Sequence, residues 1–127
     1  MSNTENVVFS FSRAQAIADG VLIDVSDVAK EAGFRFPVAM TAAAWSDCVA
    51  WRENSQGAGQ SESGRLWDVL CMAKLAVKRA EGDRISFIVL RVPSRGGGRA
   101  QLATLQAVVG PGDHWEPIIT LMLPGED

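Results

Sequence analysis

The sequence predicts an α+β fold: about four helices in the N-terminal two thirds, packed on a C-terminal antiparallel three-stranded meander, to which an N-terminal edge strand could add. Three observations predict it. Polar starts and glycine stops punctuate the first sixty residues in the manner of short helices. Apolar residues then recur at three or four positions through residues 63–80. From Ile85 onward the pattern changes to β-prone runs separated by turn-rich links. Helices first and strands last belong to α+β architecture.

Residues 1–6 are polar and are expected to fray, and VVFSF (7–11) is the candidate edge strand. Ser12 caps the next segment, RAQAIAD, and Gly20 ends it as a left-handed residue beyond the helix. VLIDV (21–25) is β-branched and apolar, so it reads as a short strand or buried extended segment. Ser26 is then expected to cap DVAKEA, with Gly33 as its stop. FRFP (34–37) must be extended before Pro37. Thr41 caps a third helix, AAAWSDCVAW.

ENSQGAGQSES (53–63) has no apolar anchor and is expected to be a flexible loop. Ser61 or Ser63 begins the longest helix, which runs to about Ala80. Leu66, Leu70, Ala73 and Val77 form its core stripe, widened by Trp67, Val69 and Ala76, while Arg65, Asp68, Lys74 and Lys78 point toward solvent. ISFIVLRV (85–92), AQLATLQAVV (100–109) and EPIITLMLP (116–124) are the three strands, joined by PSRGGGR and GPGDHW. No internal repeat or boundary divides the chain, so a single domain over 1–127 is expected.

Composition narrows the function. With 47% hydrophobic and 21% charged residues the chain is globular rather than disordered. A net charge of −3 is too mild for a protein that neutralises many phosphates, or for an acidic mimic of DNA. Cys48 and Cys71 stand in no metal spacing and read as apolar thiols of a reducing compartment. The start lacks a basic cluster followed by an apolar core, and no apolar run approaches the ~20 residues of a membrane span. A soluble, cytoplasmic protein that needs no cofactor or metal is the expectation.

Few residues offer chemistry. PSRGGGR (93–99) sets three glycines between Arg95 and Arg99, a composition that suits anions. It lacks the GK[ST] ending of a phosphate loop and no helix follows it, so a hairpin tip is the simpler reading. GPGDHWEP (110–117) holds His114, the one histidine, between Asp113 and Trp115. Adjacent side chains diverge in extended backbone, no GxSxG elbow supplies a nucleophile, and one imidazole is a poor start for a metal site. A turn explains each residue, with Gly110 and Gly112 free in φ, Asp113 bonding backbone and Pro117 opening an edge strand.

Asp19 and Asp24 flank a strand and could pair as general acid and base, but both also sit where helix caps use acids. Arg13, in the first turn of a helix, opposes the dipole and calls for an acidic partner. Trp51 and Trp115 stand beside loop-forming residues, unlike Trp45 and Trp67, and are the candidate exposed anchors. Aromatics and arginines dominate interface hot spots, so Trp51, Arg52, Arg95, Arg99, His114 and Trp115 are the candidate partner-binding residues.

The stretches FSRAQAIADGVLIDVSDVAKEAGFRFPVAMT, SGRLWDVL and VVGPGDHWEPIITLMLPGED give the chain a resemblance from Phe9 to Asp127. It resembles a group of small, uncharacterised bacterial proteins encoded on plasmids, integrative elements and prophages. The resemblance implies accessory genes on mobile DNA, which often serve transfer, maintenance or evasion of host defences. The leading expectation is therefore a non-enzymatic binding protein that acts through a protein partner, such as an inhibitor of CRISPR or restriction. The alternative is a nucleic-acid-associated accessory protein using Arg91, Arg95, Arg99 and an aromatic. A third is a small enzyme relying on Asp24 or the Asp113–His114 corner. An edge strand at 7–11 or 117–123 would let two chains pair as a homodimer.

Overall fold

The computed structural model describes residues 12–51, 61–93 and 99–126. Among the described residues, four helices and one five-stranded sheet make a mixed α+β fold. In chain order the elements are α1 (Arg13–Ala18), β1 (Leu22–Asp24), α2 (Ser26–Glu31), β2 (Val38–Thr41), α3 (Ala42–Cys48), α4 (Glu62–Arg79), β3 (Arg84–Arg91), β4 (Gln101–Pro111) and β5 (Pro117–Met122). VVFSF lies outside the described residues, as do the polar start and most of the 53–63 segment.

Local signals set the helix ends. Ser12 accepts from Gln15 N at 3.0 Å, Thr41 from Ala44 N at 3.1 Å, and Ser61 from Gly64 N at 3.1 Å. Each hydroxyl satisfies an N–H that has no partner within its helix. Gly20 and Gly33 take the left-handed conformation at φ 77° and 102°, so the two expected stops are real. Ser26 departs from expectation. Its hydroxyl does not cap α2 but grips Val38, accepting from the N–H at 3.1 Å and donating to the carbonyl at 3.2 Å. Asp24 takes the local bond instead, accepting from Ser26 N at 3.0 Å. Residues 61–63 of the expected loop are the cap and first turn of α4.

The strand order is β1-β2-β5-β4-β3. β3, β4 and β5 pair antiparallel in sequence order, but they are three strands of five, which corrects the three-stranded meander. β2 pairs parallel with β5, and β1 closes antiparallel on β2. β5 is therefore an interior strand, and the expected edge at 117–123 is not one. The sequence concealed β2 for a physical reason. Val38, Ala39 and Met40 are all fully buried, and a strand covered on both faces shows no alternation.

On one face, Phe87, Val89, Leu105, Ala107, Ile119 and Leu121 meet the helical core built by α2, α3 and α4. α1 lies on the other face, over β5, where Arg13 reaches Thr120. The helices therefore sandwich part of the sheet rather than sharing one side. α4 also differs from its expected phase. Leu66, Val69, Leu70 and Ala73 are buried as predicted, but Trp67 is 42% exposed and Arg65 only 5%. Arg65 tolerates this because its long stem lies along apolar surface while its head finds carbonyls.

Candidate functional site

Four places could carry function: the β4–β5 turn, the groove beneath α1, the arginine pair beside α4, and the outer face of β3 and β4.

At the turn, Gly112 N donates to Glu116 O at 2.7 Å and Trp115 N to Gly112 O at 3.1 Å. The Glu116 carboxylate folds over Gly112, where a Cβ would collide with it, and accepts from His114 N at 2.9 Å. Asp113 leaves the turn altogether. Its two oxygens accept from Arg13 N at 2.8 Å and Ala14 N at 3.0 Å, the first N–H groups of α1. Those bonds hold the carboxyl below its ordinary range. Asp113 thus ties the turn to α1. The imidazole is exposed and, among the described residues, makes no side-chain hydrogen bond. Trp115 stands 84% exposed with φ at 65°, a conformation that large residues rarely adopt.

Beneath α1 a groove of about 840 Å³ runs over Ile118, Thr120 and Met122 of β5. Arg13 donates to Thr120 Oγ1 and to the Ile119 carbonyl, both at 2.9 Å. Desolvation lowers its pKa, and the nearby charges of Asp24, Asp113 and Glu116 oppose that shift. The acid that sequence required for Arg13 is thus a diffuse field, not one ion pair. Across the groove Glu126 accepts from Thr41 Oγ1 at 2.7 Å and Leu123 N at 2.8 Å. These polar groups satisfy one another. Asp19 and Asp24 do not form an acid pair here: Asp19 accepts from Gln15 Nε2, Asp24 binds Ser26 N, and both are exposed.

Beside α4, Arg65 donates to the carbonyls of Val49 at 2.9 Å and Val92 at 2.7 Å. Its guanidinium lies 4.9 Å from the centre of the Trp51 ring. Trp51 is half-buried in this stack, so it is not the free anchor expected of it. Arg91 donates to the carbonyl of Asp47 and pairs with its carboxylate at 3.1 Å. That contact holds Arg91, one of the arginines expected in the nucleic-acid alternative, against α3. Cys48 is fully buried between these groups. Burial, then the charge of Asp47, pushes its thiol up to about 11, which leaves no nucleophilic thiolate near neutral pH.

The remaining feature was missed in the sequence. β3 and β4 alternate, and α4 covers only one of their faces. On the other, Leu90 stands opposite Leu102, with Ile88 two residues along. They are 62%, 71% and 51% exposed. The signal was present, since both faces of β3 carry aliphatic residues where a solvated face would be polar. Arg99 is exposed three residues before Leu102, while Arg52 and Arg95 lie outside the described residues. Among the described residues no group of three potential metal ligands occurs, and no helix is long and apolar enough to cross a membrane.

Fold and surface together define a class: an α+β protein in which buried Arg65 and half-buried Arg91 hold backbone carbonyls, and whose sheet displays aliphatic side chains outward. The chain belongs to the DUF6573 family, a family of unknown function whose model matches residues 1–127. No curated protein and no solved structure matches it.

Proposed function

We propose that the protein is a non-catalytic binding protein that acts through a protein partner, with the outer face of β3 and β4 as its contact surface. One observation carries this reading: Ile88, Leu90 and Leu102 form an aliphatic strip on a sheet face that α1 leaves uncovered. Contiguous exposed apolar surface of this kind marks interaction sites. Arg99, exposed three residues before Leu102, suits a partner with an acidic group beside an apolar centre. Trp115 and His114, at the opposite end of β4, supply a second contact.

The commitment of Asp113, Glu126, Asp24 and Cys48 to structural bonds or burial favours binding over catalysis. The resemblance to proteins of plasmids, integrative elements and prophages extends the proposal: the partner is a component of a host defence system, such as CRISPR or restriction. Immobilised protein incubated with extract of its natural host should retain such a component. Leu90→Asp with Leu102→Asp should abolish retention while leaving the circular-dichroism spectrum unchanged. Retention that the double variant does not affect, or that salt alone releases along with nucleic acid, would sink the proposal.

A further inference from the structure

The solvent side of α4 carries a second apolar surface, separated from the strip by the sheet itself. Trp67, Cys71 and Leu75 follow at four-residue spacing, which stacks them along one line of the helix, and Met72 lies beside them. Trp67 is 42% exposed, Met72 41% and Leu75 51%. Cys71 is half-buried on the same line. An isolated surface helix keeps polar residues here. The charged residues nearest this line are Asp68, Lys74, Lys78 and Arg79, all at its margins or its last turn.

We propose that this face pairs with the same face of a second copy, α4 lying antiparallel to α4 about a two-fold axis beside Cys71. The helix spans Glu62–Arg79, so Cys71 sits at its middle and a two-fold there uses its whole length. Packing is self-complementary. Residues 71, 74, 75 and 78 outline one diamond-shaped hole, and the two-fold brings the partner's Trp67 over it. Gly64, Trp67, Asp68 and Cys71 outline the equivalent hole for the partner's Leu75, and Gly64 leaves it room.

Charge selects the direction. On its outward side the N-terminal half of α4 carries Asp68 and the C-terminal half carries Lys74, Lys78 and Arg79, while Glu62 accepts from Trp51 N and Arg65 is buried. Antiparallel pairing sets acidic half against basic half and opposes the two helix dipoles, whereas parallel pairing would set like on like. Asp68 then lies on the same side as the partner's Arg79. With helix axes about 8–10 Å apart and Cα atoms about 2.3 Å from each axis, the two Cys71 Cα atoms come within about 5 Å. That separation is within reach of a disulfide.

One helix pair buries less than the roughly 800 Å² per partner of a standard stable interface, so the dimer is reversible and concentration-dependent. The sheet faces remain outside it, and the inference stands or falls independently of the proposed partner.

Sedimentation velocity from about 1 to about 300 µM should show wild type passing from monomer to dimer. Leu75→Glu, at an exposed position, should keep the fold and stay monomeric. Asp68→Arg should weaken the dimer at least about tenfold, and adding Arg79→Asp should restore it. Copper-phenanthroline with oxygen as oxidant takes one hydrogen from each Cys71 thiol, leaving a disulfide-linked dimer. Cys71→Ser should prevent that link and Cys48→Ser should not. A chain that stays monomeric throughout this range without a Cys71 link overturns the proposal. So does a dimer indifferent to Leu75→Glu, or a charge swap that fails to restore it. If Leu75→Glu fails to fold, the Cys71 link decides alone.

Discussion

Asp113 and Arg13 are one hundred positions apart in the chain, yet the Asp113 carboxylate caps the helix that Arg13 begins. With Ser12 it satisfies the N–H groups of Arg13, Ala14 and Gln15, so a six-residue helix holds its place through a distant turn. That an acid at this turn binds backbone was readable in GPGDHWEP; which backbone it binds was not. A contact across one hundred residues depends on how β5 delivers the turn to α1. The tie predicts a pH dependence. Because the folded carboxyl is held below its ordinary value of 3.8, its contribution is fully present above that value and fades as pH falls through the folded pKa. Urea midpoints of wild type and Asp113→Ala should differ at about pH 7, and the gap should narrow as the pH is lowered below 3.8. A gap that does not change with pH would mean that Asp113 is not an ionised cap.

At the scale of elements, the readable features were those with local causes. Ser12, Thr41 and Ser61 cap, Gly20 and Gly33 stop, and β3 and β4 alternate. β2 stayed hidden because burial on both faces erases the period of two. The phase of α4 was misjudged at Trp67 and Arg65 because hydrophobicity ranks an indole as core and a guanidinium as solvent-facing. In the fold, the carbonyls of Val49 and Val92 draw Arg65 inward. A pair of truncations separates the two phases. Leu70→Ala, at a fully buried position, should cost roughly 2–5 kcal/mol of unfolding free energy. Trp67→Ala, on the exposed side, should cost well under half as much in the same denaturant titration. Equal costs would place Trp67 in the core after all.

Across the whole molecule, two apolar surfaces lie on opposite sides of one sheet. One is the aliphatic strip of β3 and β4, and the other is the outer stripe of α4. Neither was read as surface in the sequence, because aliphatic residues on strands and helices are assigned to the core until the layers are known. Trp115 was the exception: its place beside turn residues marked it as exposed, and it is. Its partner anchor Trp51 was drawn into the fold by Arg65. If α4 pairs as inferred, a dimer would offer two strips at once, and a partner with two sites would bind with added avidity.

We propose the strip at Ile88, Leu90 and Leu102 as the place where a different protein docks. A photo-crosslinking amino acid placed at Leu102 in the natural host tests this most directly, with Glu31 on α2 as the control position. An adduct is expected from Leu102, absent from Glu31, whose second component is a protein other than this chain. No adduct from Leu102, or one formed only with a second copy of the chain, would contradict it.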